Sequence, residues 1–178
     1  TKSIDLTGSS LSSRAVVGYP LGVLVGTGSL TDDNGDFILN ENGFPQLTPS
    51  PIVLGDPNPD WRGGLGVRVN YKKINLHILF EHAQGGNYSP RTQWVLNRFG
   101  TTAETANRVT LNQDLMNYAG QFIPKGTTVR GNLKDFGGGT VLLDETWYRT
   151  GIGGGFGDNQ AYNFSIKVAT FTRLREVA

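Results

Sequence analysis

Two neighbouring segments near the middle of the chain alternate strictly between apolar and polar positions. The apolar residues are odd-numbered in 65–71 and even-numbered in 74–80, with Leu79 as the one extra apolar residue on the polar side. A period of two is typical of a β-strand, whose successive side chains point to opposite faces. Because only Lys72 and Lys73 separate the segments, the pattern predicts an antiparallel hairpin of strands near 64–71 and 74–82.

The rest of the chain offers fewer strand signals. An apolar, β-branched run predicts a strand near 21–28, and a final strand region is predicted over 163–177. The stretches 29–62 and 83–162 are rich in turn residues and are predicted to be long loops, with helical turns at 101–107 and 113–118. The aromatic residues within 83–162 indicate that this loop is ordered by packing.

The hairpin strands have about the length that crosses a bilayer at a tilt, roughly 9–11 residues. Trp61, Tyr71 and Phe80 lie near strand ends, and a short turn at one end contrasts with long loops at the other, as in outer-membrane barrels. We therefore expect an all-β fold, namely antiparallel strands forming part of a large transmembrane β-barrel with long extracellular loops. A soluble β-sandwich, for example a carbohydrate-binding module, is the alternative, because its strands alternate in the same way.

The barrel interpretation assigns each face of the hairpin to a different environment. The residues expected to face lipid are Leu65, Val67, Val69, Ile74, Leu76, Ile78 and Phe80. The residues expected to face a polar lumen are Arg68, Asn70, Asn75, His77 and Glu81. This division follows because a closed sheet pairs its own backbone groups and needs an apolar surface only where it meets lipid.

Composition narrows the possible functions. The chain has 178 residues, a formal net charge of +1 and no cysteine, so disulfides and thiolate chemistry are excluded. The chain has no basic patch of the kind that binds nucleic acid, and none of its apolar runs is long enough for a transmembrane helix. We find no nucleophile with a base and expect neither an enzyme nor a cofactor.

Two sets of residues are candidates for binding. Asp32, Asn34 and Asp36 have the spacing that opens a calcium loop, but Phe37 stands where glycine is required, so a simple turn is favoured. Four aromatic residues of the long loop could stack on sugars, anchor a partner protein or simply pack the loop. These are Tyr88, Trp94, Trp147 and Tyr148.

Several stretches, in order, resemble the SusC/RagA family of TonB-dependent outer-membrane transporters. The most specific is Leu54-Gly55-Asp56-Pro57-Asn58-Pro59-Asp60-Trp61, and the segments 17–22 and 171–177 also resemble family motifs. The resemblance implies a piece of the C-terminal half of a barrel in the bacterial outer membrane. It further implies import of glycans or peptides, a SusD-like surface lipoprotein as partner, and coupling to TonB through parts outside this chain.

Overall fold

The computed structural model describes residues 3–5, 10–154 and 159–178. Within these ranges the chain forms fifteen strands, two short α-helices, one π-helical turn and one 3-10 turn. The strands are β1 Ser3–Asp5, β2 Ser12–Val16, β3 Val23–Gly26, β4 Ile52–Gly55, β5 Pro59–Tyr71, β6 Ile74–Gly85, β7 Asn87–Tyr88, β8 Arg108–Thr110, β9 Leu115–Met116, β10 Phe122–Ile123, β11 Thr128–Arg130, β12 Asn132–Asp135, β13 Thr140–Leu143, β14 Lys167–Val168 and β15 Phe171–Val177. The helices are α1 Arg91–Arg98 and α2 Ala103–Ala106, the π-helical turn is Thr146–Thr150, and the 3-10 turn is Tyr162–Phe164.

The predicted hairpin is confirmed. Strands β5 and β6 pair antiparallel, with Val67 opposite Ile78 at the centre, and Lys72 adopts a positive φ of 53° in the turn. Strand β15 adds to the other edge of β6, which gives a three-stranded sheet in the order β15-β6-β5, called the hairpin sheet below. The final strand region predicted over 163–177 is confirmed only in part: β15 forms its last seven residues and β14 two more, whereas residues 163–164 belong to the 3-10 turn.

A second sheet contains strands β1 to β4 in sequential order, and all its pairs are antiparallel. Its buried residues Val16, Val23 and Val25 form a small apolar cluster. The predicted strand at 21–28 is shorter than expected, since Gly22 has a φ of 85° and belongs to the preceding turn. With only antiparallel sheets and little helix, the all-β prediction is confirmed.

The prediction that 83–162 is mostly irregular is wrong. Residues 87–154 and 159–168, called the loop unit, contain four two-stranded ribbons, both helices and most of an apolar core. Helix α2 lies within the predicted 101–107 turn, whereas 113–118 contains strand β9 in place of a helical turn. Strands of two to four residues are too short to show a period, so sequence reasoning missed them.

The core of the loop unit is built largely from aromatic side chains. Trp147 packs between Phe44 and Phe136, with ring centroids 5.8 and 5.6 Å away. Phe44, which belongs to the segment 29–48, is fully buried in this core, so the segment packs against the loop unit. No helix among the residues described has both the length and the apolar character to cross a membrane.

Candidate functional site

One face of the hairpin sheet is apolar and uncovered. Directly opposed pairs such as Leu65 with Phe80 and Val69 with Leu76 place their side chains on the same face. Side chains at the tip and the middle remain open, with 67% of Ile74 and 41% of Val67 exposed. Strand β15 widens the patch, because Leu174 lies opposite Phe80 and Val177 opposite Ile78. All seven residues predicted to face lipid therefore share one surface.

The opposite face is polar and bears a network of charges. Glu81 accepts hydrogen bonds from Arg173 and Arg175 of β15, and His77 Nδ1 lies 3.4 Å from Glu176 Oε1. Arg68 lies opposite His77. Asn70 and Asn75, the two remaining residues of this group, are opposed near the turn. The five residues predicted to face a lumen thus also share one surface, opposite the apolar one.

Two aromatic rings packed together lie at the end of the apolar face that is distant from the β5–β6 turn. Trp61 packs on the His82 ring at a centroid distance of 4.8 Å, and His82 Nδ1 lies 2.7 Å from Thr172 Oγ1. The imidazole is therefore held between an aromatic ring and neutral hydrogen-bond partners. It lies on the opposite face from His77 and Glu81, because side chains alternate along a strand.

The candidate calcium ligands form a turn. Asp32 Oδ1 accepts hydrogen bonds from the backbone N–H groups of Asn34 and Asp36, at 2.9 and 3.0 Å. Asn40 repeats this arrangement eight residues later, with Oδ1 accepting from the N–H groups of Asn42 and Phe44. Across the residues described, no three His, Cys, Asp or Glu side chains are grouped to hold a metal. The favoured turn interpretation agrees with these contacts, and sequence reasoning overlooked the repeat.

The four candidate aromatic residues occupy different positions. Trp94, Trp147 and Tyr148 are buried, with at most 8% of each side chain exposed, while Tyr88 is about half exposed. Packing of the loop, which was one of the predicted alternatives, therefore explains the three buried residues. Of these, Tyr148 also lines a cleft at the surface of the loop unit.

This cleft has a volume of about 550 Å³ and is called the arginine cleft. It is lined by the end of α1 and the residues after it, by α2 and β11, and by the segment leading into the π-helical turn. Its three guanidinium groups belong to Arg98, Arg130 and Arg149. They are separated by about twenty to thirty positions in the sequence, so no local motif could have indicated that they meet.

Arg130 is fixed at the wall of the arginine cleft by the backbone. Its Nε donates to the Thr105 carbonyl at 2.6 Å and one Nη donates to the Gly100 carbonyl. Gly100 has a φ of 69°, and a Cβ there would lie 3.2 Å from the guanidinium, so glycine suits both requirements. The conformation of this loop thus sets the position of one positive charge.

Tyr148 lines the arginine cleft, and its hydroxyl makes two hydrogen bonds. Its hydroxyl donates to Glu104 Oε1 at 3.3 Å and accepts from Asn132 Nδ2 at 3.1 Å. Burial, followed by the nearby Glu104 carboxylate, raises the pKa of Tyr148 to about 12, partly offset by the Asn132 hydrogen bond. The phenol therefore keeps its proton, with which it donates to Glu104, to a higher pH than a free phenol does.

Comparisons with known proteins give no direct identification. No model of a known protein family matches the chain, and no curated protein matches it significantly.

Proposed function

We propose that the chain is part of an outer-membrane β-barrel importer, in which the hairpin sheet belongs to the membrane wall and the loop unit lies outside the membrane. The observation that carries the proposal is the uncovered apolar face of the hairpin sheet. It continues over all three strands, opposite a face that holds ion pairs. A contiguous exposed apolar surface of this kind is unusual for a soluble monomer and requires a cover.

Lipid is the cover that fits best. Strands β5 and β6 contain 13 and 12 residues, enough to cross the hydrocarbon at a tilt. The outer edges of β5 and β15 are open to further strands, and a sheet in lipid must continue until it closes. The soluble β-sandwich alternative would need a second sheet over the apolar face, and the rest of the described chain supplies none.

The importer assignment comes from the resemblance to the SusC/RagA family. The motif 54–61 includes the first residues of β5, and the motif 171–177 forms β15, so both contribute to the outer strands of the proposed wall. On this proposal the chain functions in the bacterial outer membrane with a SusD-like lipoprotein, and a glycan or peptide is its cargo. Binding and passage would be its role, without bond chemistry.

The absence of cysteine allows a direct test by site-specific labelling. Single cysteines replacing Val67 or Val69 would carry an environment-sensitive fluorophore, and matched cysteines would replace Arg68 or Asn70 on the opposite face. In lipid vesicles we expect brominated lipid to quench the first pair strongly and the second pair weakly. Equal quenching of both pairs, or a chain that stays folded and monomeric in water without detergent, would refute the proposal.

A further inference from the structure

The lining of the arginine cleft holds three arginines but only two acidic side chains. Of its two acidic side chains, Glu145 pairs with Arg149 at 2.7 Å. Asp144 directs its oxygens to neutral donors, accepting from the backbone N–H of Thr146 at 2.8 Å and from Asn117 Nδ2 at 3.0 Å. Arg130 donates to carbonyl oxygens, and no carboxylate among the described residues pairs with it.

A second arginine occupies the register position opposite Arg130. In the β8–β11 ribbon, Arg108 lies opposite Arg130, and like charges in directly opposed positions destabilise a sheet. No ion pair of Arg108 occurs within the described part of the chain. An anion bound at Arg130 would offset the unfavourable opposition of these two like charges.

A guanidinium binds oxyanions. Its planar fork matches a carboxylate or a phosphate, with which it forms short, charge-assisted hydrogen bonds. A carboxylate carries one negative charge, which equals the excess of arginines over acidic side chains in the lining, whereas a phosphate carries about two. Because Arg130 is held by two carbonyl groups, it needs little reorganisation before binding. The volume of the cleft, about 550 Å³, is in the range of sites for small molecules.

The other lining groups favour a sugar over a peptide. Phe99 lines the cleft with 69% of its side chain exposed, and an open aromatic ring can pack on the apolar face of a sugar. An extended peptide that binds by strand addition relies on free main-chain partners. The carbonyl groups of Gly100 and Thr105 already accept from Arg130, and the N–H of Gly131 donates to Asn107.

From these observations we infer that the arginine cleft binds a carboxylate-bearing sugar, with Arg130 contacting the carboxylate and Phe99 packing on the ring. As a statement about cargo, this inference rests on the proposed importer function and deepens it to uronate-containing glycans. The binding itself is a property of the loop unit and can be measured without transport.

The test is calorimetric titration of the full chain in detergent micelles with trigalacturonate. We expect measurable binding that is lost when all three carboxylates are methyl-esterified, since the ester removes the charge and leaves the sugar rings. Arg130→Gln should weaken binding about tenfold or more, in the range for a hydrogen bond to a charged group. Lys125→Gln is the matched control, because it removes one exposed positive charge from the same unit outside the cleft; it should change the affinity less than about twofold.

Phe99→Ala provides an independent variant, because its exposed ring contributes little to folding. It should weaken trigalacturonate binding severalfold while the melting temperature stays unchanged. Absence of trigalacturonate binding, equal affinity for the esterified form, or unchanged affinity in both variants would overturn the inference. Equal binding of a triglutamate peptide would overturn the assignment to sugars. Failure of the fluorophore labelling test would instead overturn the importer proposal and leave the measured affinity intact.

Discussion

Glu81 on strand β6 lies opposite Arg173 on strand β15, and the arginine donates to a single carboxylate oxygen. Arg173 Nε and Nη2 lie 3.0 and 2.7 Å from Glu81 Oε2. Arg175 Nη1 reaches the same oxygen at 2.7 Å, because a register shift between Leu174 and Glu176 brings a second arginine to this face. One carboxylate therefore adds two side-chain contacts to the backbone pairing that holds β15 on the hairpin.

This arrangement predicts the effect of Glu81→Gln on strand β15. The substitution keeps the size of the side chain but removes the charge that both arginines share, so β15 should separate from β6 more often. We expect the backbone amides of β15 to exchange with deuterium several times faster, while the β5–β6 pairs keep their protection. Glu145→Gln, in a separate exposed ion pair, is the control. Unchanged protection of β15 in Glu81→Gln would contradict the prediction.

A second prediction concerns the apolar face. Val67 lies in the middle of β5, so in a bilayer Val67→Arg should place a charge near the hydrocarbon centre and destabilise the folded chain by roughly 2–4 kcal/mol. Arg68→Ala, one position away on the polar face, should change stability much less. Urea titration of the chain in lipid vesicles measures both. Equal stability of Val67→Arg and the parent chain would argue against contact with lipid.

The two parts of the molecule differed in how well their sequence predicted them. The hairpin was predictable because Leu65 to Phe80 repeats one local rule over sixteen consecutive positions with a two-residue turn. The arginine cleft was not, since Arg98, Arg130 and Arg149 meet only through the folding of the loop unit. Aromatic residues such as Trp147 indicated an ordered loop, yet their partners lie far away in the sequence and could not be inferred.

The paired turns of the segment 29–48 support a third prediction. Asn40 Oδ1 accepts two backbone hydrogen bonds, one of them from Phe44, whose side chain is fully buried against the loop unit. Asn40→Ala leaves both N–H groups without this acceptor and should destabilise the chain by about 1–2 kcal/mol. Glu41→Ala, in the same turn, should have almost no effect because this side chain is exposed. Chemical denaturation followed by near-ultraviolet circular dichroism would show the difference, and equal midpoints for the two variants would refute the assigned role.

The last prediction concerns alkaline pH. The pKa of Tyr148 is about 12 in the folded chain, compared with 10 for a free phenol. Its folded-state pKa is raised, so its stabilising contribution is complete below pH 10 and is lost as the pH rises from 10 to 12, because the unfolded phenol ionises first. The free energy of unfolding should therefore fall over this range.

Tyr148→Phe removes that ionisation, so its free energy of unfolding should fall less steeply between pH 10 and 12 than that of the parent chain. The absorbance step of one phenolate near pH 12, followed at the ultraviolet wavelength specific to phenolate, should also disappear. Tyr88→Phe, at a half-exposed ring of the same unit, is the matched control variant. Parallel curves for Tyr148→Phe and the parent chain would show that the Tyr148 phenol is not held protonated by burial and by its contact with Glu104.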